Sequence, residues 1–261
     1  MTSSSLFDSP FNLTGHVALV TGGNSGIGLG MAEGLAQHGA NVAIWGTNAD
    51  KNDAAVDTLS QYDVEVLSIV CDVSDEVAVV EAMTDTVSQL GRIDSVFVNA
   101  GVGSRAPSFV DMSSEEWRRV MSVNLDGAFY TFRTAARHMV ERGGGGVLAG
   151  TASLAAIEAA PRSEHYAATK GGMISMVKAM AVEFARYGIR AHSILPGWIS
   201  TNMTANAVNT EGFKTKVLPR VPMRRWGEGD DFGGIAVYLM SSASRYHTGD
   251  TFVIDGGYSL F

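Results

Sequence analysis

Short apolar runs alternate with longer amphipathic stretches along most of the chain. The runs at Val17–Val20, Asn41–Trp45, Val64–Val70, Ser95–Val98, Gly146–Gly150, Ala191–Leu195 and Thr251–Ile254 have strand length, and most lack polar alternation. Strands of that kind are buried on both faces, as in a parallel sheet. Between them, Ile27–His38, Asp50–Ser60, Asp75–Leu90, Ser114–Arg142, Ser163–Tyr187 and Asp230–Met240 read as helices. Ser74 is placed to cap the helix at Asp75, and Ser113 with Glu116 spells a capping box before Trp117. Gly91 and Gly188 stand where helices should stop. End-to-end strand–helix alternation predicts βαβ units: a doubly wound α/β chain of about seven strands, mostly or wholly parallel, with helices on both faces. No repeat or composition break divides it, so residues 1–261 read as one domain. Only Trp198–Arg225 lacks a period, and it reads as a lid inserted after the sixth strand.

Composition narrows the classes. The chain has 261 residues, 46% hydrophobic and 18% charged, which suits neither a disordered chain nor a coiled coil. A net charge of −8 argues against nucleic acid or an anionic membrane as partner. A lone cysteine, Cys71, excludes an internal disulfide and a multi-cysteine metal site, and no metal is expected. The start, MTSSSLFDSPFNLTG, has no signal-peptide pattern, and no apolar stretch reaches the ~18–20 residues of a spanning helix. These features predict a cytoplasmic protein. The 30 glycines sit singly or in pairs between apolar runs, apart from Gly143–Gly146, which reads as a tight connection.

Their placement is more telling. The first strand runs directly into Gly22-Gly-Asn-Ser-Gly26-Ile27-Gly28, and a helix begins there. Glycines at this junction let the main chain approach a pyrophosphate, and the helix N-terminus offers free N–H groups. This predicts a Rossmann fold binding a dinucleotide. The second strand ends at Trp45-Gly46-Thr47-Asn48, near the expected adenosine ribose. No acid stands there to bond a 2′-hydroxyl, while Thr47 and Asn48 can bond a 2′-phosphate, which favours NADP over NAD. Asn24 and Ser25 in the turn add no positive charge.

Tyr166 and Lys170 are four residues apart, on one face of a helix. An ammonium beside a phenol favours the phenolate, which would let Tyr166 exchange a proton with an alcohol or carbonyl. Ser153 lies upstream at the end of the fifth strand, on the edge of an α/β sheet where ligands bind. Asn99-Ala100-Gly101 ends the fourth strand, and Asn124 places an amide within the long helix.

With these residues in order, the chain resembles the short-chain dehydrogenase/reductases from about Leu13 onward. The resemblance is carried by TGGNSGIG at Thr21–Gly28, CDV at Cys71–Val73, NAG at Asn99–Gly101, Asn124, Ser153, the Tyr166/Lys170 pair and PGWIST at Pro196–Thr201. It implies that Tyr166 is the general acid/base and that Lys170 bonds the nicotinamide ribose and lowers the Tyr166 pKa. Ser153 would orient the substrate oxygen, and Asn124 would hold a water in a proton relay. Asp72 and Val73 would touch adenine, and Asn99, Ala100 and Gly101 would line the cleft. Pro196, Gly197, Ile199 and Thr201 would hold the nicotinamide end. Two positions depart from the usual pattern: Val98 before NAG, and Thr151-Ala152 before Ser153.

The expected function is NAD(P)-dependent hydride transfer between a secondary alcohol and a ketone of a small molecule. A 3-oxoacyl-(acyl carrier protein) reductase is the alternative, with Arg118, Arg119, Arg133 and Arg137 as carrier-docking cations. A catalytically silent cofactor-binding protein is a third reading. Met173, Met176, Val177, Met180 and Phe184 make one helix apolar over more than one face, as in a core or a subunit interface. The resemblance implies a homodimer or homotetramer.

Overall fold

The structure, a computed structural model, describes residues 9–260. The opening stretch 1–8, on which the reading of the N-terminus partly rests, lies outside the described residues. The strands are β1 (Val17–Thr21), β2 (Asn41–Gly46), β3 (Val66–Val70), β4 (Ser95–Val98), β5 (Gly146–Thr151), β6 (Ile189–Pro196) and β7 (Thr251–Ile254). They form one sheet in the order β3-β2-β1-β4-β5-β6-β7, and every pairing is parallel. The chain winds outward from β1 to β3, then returns to β4 and winds the other way. That reversal opens a crevice at the carboxyl ends of β1 and β4.

The helices are α1 (Gly26–Gln37), α2 (Ala49–Leu59), α3 (Glu76–Leu90), α4 (Ser114–Met121), α5 (Gly127–Arg142), α6 (Glu164–Phe184), α7 (Ala205–Val208), α8 (Glu211–Val217) and α9 (Gly233–Met240). Alternate residues of the strands feed two cores. Leu19, Ala43, Val96, Leu148 and Ala191 pack with Met83 of α3, Phe132 of α5 and Met173 and Val177 of α6. Val20, Val42, Phe97, Ala149 and Ile194 pack with Met31 and Leu35 of α1, Leu59 of α2 and Leu239 of α9. The inner strands β1, β2, β4, β5 and β6 are buried almost throughout, whereas the edge strands β3 and β7 carry exposed positions.

Several boundaries differ from expectation. Asp75, not Ser74, caps α3: its Oδ1 accepts from the N–H groups of Val77 and Ala78 at 2.9 and 3.3 Å. A carboxylate is the stronger acceptor at a helix N-terminus. Ser74 instead donates its N–H and hydroxyl to Asp72 Oδ1. The long helix expected over Ser114–Arg142 is α4 and α5 joined by a π-helical turn, Ser122–Asp126. The aperiodic segment after β6 holds α7, α8 and a 3₁₀ turn, Leu218–Arg220. Asp230 lies in a 3₁₀ turn, Gly229–Phe232, ahead of α9. Gly91 and Gly188 do end helices, with φ of 79° and 72°.

Candidate active site

The floor of the site is the turn from β1 to α1. Gly22 has φ of 63°, and a β-carbon on Gly28 would lie 2.2 Å from the Gly22 carbonyl oxygen, so the turn closes only with glycine at Gly28. Ser25 stands at the α1 N-cap with no side-chain cap bond, and the first turn of α1 holds no acid. Its N–H groups and dipole therefore suit a pyrophosphate. Thr21 Oγ1 accepts from the N–H groups of Asn99 and Ala100 at 3.0 and 3.1 Å. Asn99 Nδ2 donates to the Gly22 carbonyl at 3.4 Å. The NAG segment is thus bolted to the glycine turn across the crevice. Thr201 stands over the same turn, its Cγ2 within 3.0 Å of a β-carbon placed on Gly26.

At the adenosine end, Thr47 and Asn48 are exposed at the end of β2. Asn48 caps α2, accepting from Lys51 N–H at 2.8 Å, which leaves its amide N–H₂ as the group free to donate. Asn24 turns inward and donates to Asn52 Oδ1 at 2.7 Å. Asp72 closes a local turn on Ser74, and Val73 is buried against Gly127. At the other end, Gly197 N–H donates to the Ile254 carbonyl. The Ile199 carbonyl accepts from Thr204 Oγ1 at 2.5 Å.

The structure brings Ser153, Tyr166 and Lys170 together. Ser153 Oγ accepts from the Ala155 N–H at 3.2 Å, and its hydroxyl lies close enough to the Tyr166 phenol to favour the phenolate. Lys170 Nζ donates to the Thr151 carbonyl at 2.6 Å and lies 5.5 Å from the Tyr166 ring centroid. Burial pushes the Tyr166 phenol above its ordinary value, partly offset by the nearby Ser153 hydroxyl. Burial also pulls the Lys170 ammonium down to about 8. The expected lowering of the phenol by Lys170 is therefore not present in the chain by itself: the ammonium is turned onto a carbonyl, and desolvation dominates. Asn124 is fully buried in the π turn. Its Oδ1 accepts from Val102 N–H at 2.8 Å and its Nδ2 donates to the Val102 carbonyl at 2.9 Å. A β-carbon on Gly101 would meet both Asn124 Oδ1 and Lys170 Nζ, at 3.2 and 3.7 Å. The two residues share one wall of the cleft without a direct side-chain bond.

Three residues that support the site escaped the sequence reading. Thr21 is one. Asn52 is another: it is 1% exposed, accepts from Asn24 and donates to the carbonyls of Gly46 and Ile69 at 3.2 and 3.3 Å. It joins the glycine turn to the ends of β2 and β3. Its signal was an amide on the core-facing side of α2, in register with Ala55 and Leu59. The third is Glu116, expected to close a capping box. Ser113 does cap α4 by accepting from Glu116 N–H at 3.1 Å. The Glu116 carboxylate, however, turns away to Arg105, Arg119 and His165.

The chain matches known proteins over nearly its whole length. A family model described as enoyl-(acyl carrier protein) reductase matches residues 22–259. The chain is 36% identical over 250 residues to a gluconate 5-dehydrogenase of Gluconobacter oxydans, covering 96% of this chain and 97% of that one. It is 34% identical over 245 residues to a 3-oxoacyl-(acyl carrier protein) reductase of Chlamydia pneumoniae, covering 94% and 97%. A gluconate 5-dehydrogenase structure from Burkholderia cenocepacia, in complex with NADP and tartrate, superposes with a TM-score of 0.89 at 33% identity, covering 97% and 98%. The chain belongs to the short-chain dehydrogenase/reductase family, and is an NAD(P)-dependent oxidoreductase that interconverts a secondary alcohol and a ketone.

Proposed function

We propose that the substrate is a free hydroxy acid of the sugar-acid class and that the working cofactor is NADP. The observation that carries the catalytic part is the meeting of Ser153, Tyr166 and Lys170 at the carboxyl edge of the sheet. Tyr166 is the general acid/base, exchanging its phenolic proton with the substrate oxygen. Ser153, beside the Tyr166 hydroxyl, holds that oxygen in reach. Lys170 supplies positive charge beneath Tyr166 and binds the ribose. The bound nicotinamide supplies or accepts the hydride. Asn124 fixes the cleft wall through Val102, and the water relay implied for it would run from that wall. Gly22, Asn24, Ser25, Gly26, Ile27 and Gly28 form the pyrophosphate cradle. Thr47, Asn48, Asp72 and Val73 border the adenosine. Asn99, Ala100 and Gly101 line the cleft, and Pro196, Gly197, Ile199 and Thr201 hold the nicotinamide end.

Two of the four arginines weighed for docking a carrier protein are engaged within the chain. Arg119 binds Glu116 and the Gly103 carbonyl, and Arg133 pairs with Glu76 and lies over the Phe129 ring. This favours a free substrate over a carrier-bound one. The gluconate dehydrogenases among its relatives point the same way, and one of them is solved in complex with NADP and tartrate, a hydroxy acid. For the cofactor, Thr47 and Asn48 place no carboxylate at the end of β2.

We read the chain as one domain whose segment 198–225 is the substrate lid. Trp198 and Phe213 pack edge to face at 4.8 Å, and Phe213 lies 6.0 Å from Trp226 just beyond the segment, so aromatic contacts anchor the lid to the body. We also infer a cytoplasmic homodimer or homotetramer. Val182 on α6 is 82% exposed and Phe129 on α5 is 41% exposed, apolar surface that a second copy would cover.

A panel of alcohols and ketones assayed with both cofactors by NAD(P)H absorbance tests the proposal. It predicts NADPH-dependent reduction of 5-keto-D-gluconate with a higher kcat/KM than an acetoacetyl thioester. Preference for the thioester, or for NADH, would contradict it. Arg137→Glu leaves the free acid unaffected in this account. A selective rise in KM for a carrier-bound substrate would restore the carrier reading.

A further inference from the structure

We propose that Glu116 is a positioning residue for the substrate: one carboxylate ties the cleft wall at Gly103–Arg105 to His165, the residue immediately before Tyr166. The inference rests on the reading of Tyr166 as the acid/base and extends it to what fixes the wall opposite.

The local chemistry is unusual for a residue in the first turn of a helix. Glu116 Oε1 accepts from Arg105 N–H at 2.7 Å, Arg119 Nη2 at 2.9 Å and His165 Nε2 at 3.2 Å. Its Oε2 accepts from Arg119 Nε at 2.8 Å. A carboxylate serving only the α4 terminus would reach back to the N-cap N–H. Here it is drawn away onto Arg119 of its own helix and onto two other segments, at Arg105 and His165, and its side chain is only 13% exposed. The Arg119 bond holds the carboxyl down at about 2, so it remains a pure acceptor across the working range. His165 is fully buried and stacks on Trp117, with ring centroids 6.4 Å apart. Because the carboxylate can only accept, the His165 proton sits on Nε2, which fits the absence of a partner at its Nδ1.

The wall is closed from other directions as well. Arg119 Nη2 donates to the Gly103 carbonyl at 2.7 Å. Ser104 Oγ donates to the Arg162 carbonyl at 2.6 Å, and Arg162 is held at φ of 65°, in the left-handed region. Two cross-links, Ser104 to Arg162 and Glu116 to His165, therefore join the loop after β4 to the segment leading into Tyr166. The lid meets this wall too, with Met203 Cγ 3.5 Å from a β-carbon placed on Gly103. Glu116 has no bond to Ser153, Tyr166 or Lys170. It acts by fixing the wall against which the substrate seats, so its loss should show first in substrate binding.

The test uses the full chain and the variants Glu116→Ala, Glu116→Gln and Ser104→Ala, with 5-keto-D-gluconate as the carbonyl probe. The readouts are kcat and KM for the ketone, NADPH Kd by fluorescence, and hydrogen exchange of peptides covering 102–107 and 17–30. Glu116→Ala should lose about ten-fold or more in kcat/KM, mostly through KM, with NADPH Kd changed less than about two-fold. Exchange should quicken at 102–107 and hold at 17–30. Glu116→Gln keeps one acceptor oxygen and should fall between alanine and wild type. Unchanged kcat/KM, or parallel losses in ketone and NADPH binding, would overturn the proposal. If Glu116→Ala does not fold, Ser104→Ala decides: faster exchange at 102–107 with a raised KM supports the cross-linked wall, and wild-type behaviour in both overturns it. If the wild type does not reduce 5-keto-D-gluconate, the sugar-acid reading fails, and exchange at 102–107 in Glu116→Ala still decides whether the latch exists.

Discussion

Asn124 and Val102 exchange two hydrogen bonds, one in each direction, across the gap between the π turn and the loop after β4. The long helix is widened at that point, and π-helical turns recur at functional sites because they re-aim a side chain out of α-helical register. Here the re-aimed amide imitates a backbone strand and pairs with Val102, beside Gly101 and Lys170.

Removing that amide leaves two buried backbone groups unpaired. Asn124→Leu should cost about 2–3 kcal/mol of stability. Asn124→Asp keeps the acceptor for Val102 N–H but sets a carboxylate against the Val102 carbonyl, so it should be no better. Both should lower kcat more than NADPH affinity. Denaturant unfolding with steady-state kinetics checks this, and a variant with wild-type stability and kcat would count against it.

Gly46 sits where the adenosine end is assembled. A β-carbon there would lie 2.2 Å from Asn24 Nδ2 and 2.6 Å from Asn52 Oδ1. Gly46→Ala should therefore break the Asn24–Asn52 bond, destabilise the chain by about 1–3 kcal/mol and weaken NADPH binding. Asn52→Ala should do the same through the freed Gly46 and Ile69 carbonyls. Thermal melts with and without NADPH check both, and an unchanged ligand-induced shift in Tm would contradict the assignment.

Lys170 gives a signed pH dependence in the cofactor-free chain. Its ammonium is pulled from 10.5 to about 8 by burial. Below about 8 both folded and unfolded chains are protonated there, and the full cost of burying the charge is present. As pH rises towards 10.5 the folded chain releases the proton first, so that cost disappears. The stability of Lys170→Met relative to wild type should therefore decline as pH rises from about 8 to 10.5. A difference independent of pH across that window would show that the ammonium is not desolvated.

Acid should act on two other groups. Glu116 and Asp231 are both held at about 2, Glu116 chiefly by its bond to Arg119 and Asp231 chiefly by its bond to Arg225. Their ordinary values are 4.5 and 3.8. A depressed carboxyl contributes stability above its unfolded value and loses it as pH falls through its folded value. Stability should thus fall between about 4.5 and 2, with a shallower fall in Glu116→Gln and in Asp231→Asn. Urea titrations over that range measure it.

The layers of the fold were legible because their causes are local. Buried parallel strands read as unbroken apolar runs, and the glycines at Gly22 and Gly28 marked the crevice. Tyr166 and Lys170 were legible because helical spacing puts them on one face. The supporting residues were not, since their partners are distant in sequence. Asn52 reads as a polar residue on a helix until the β2 and β3 carbonyls are placed beneath it. Glu116 fits a capping box until His165 arrives from another element, 49 residues on. The π turn around Asn124 left no break in the apolar pattern. Ser74 lost its cap to Asp75, a competition between neighbours that spacing alone does not decide. The proton affinities of Tyr166 and Lys170 depend on burial, which no motif records.

Movement of the proton by Tyr166, while the rest of the site holds cofactor and substrate, is the core of the mechanism. Its most direct test is Tyr166→Phe, with hydride transfer and NADPH binding measured on the same preparation. Turnover should fall by about three orders of magnitude while NADPH Kd stays near the wild-type value. Turnover that survives in Tyr166→Phe would contradict it.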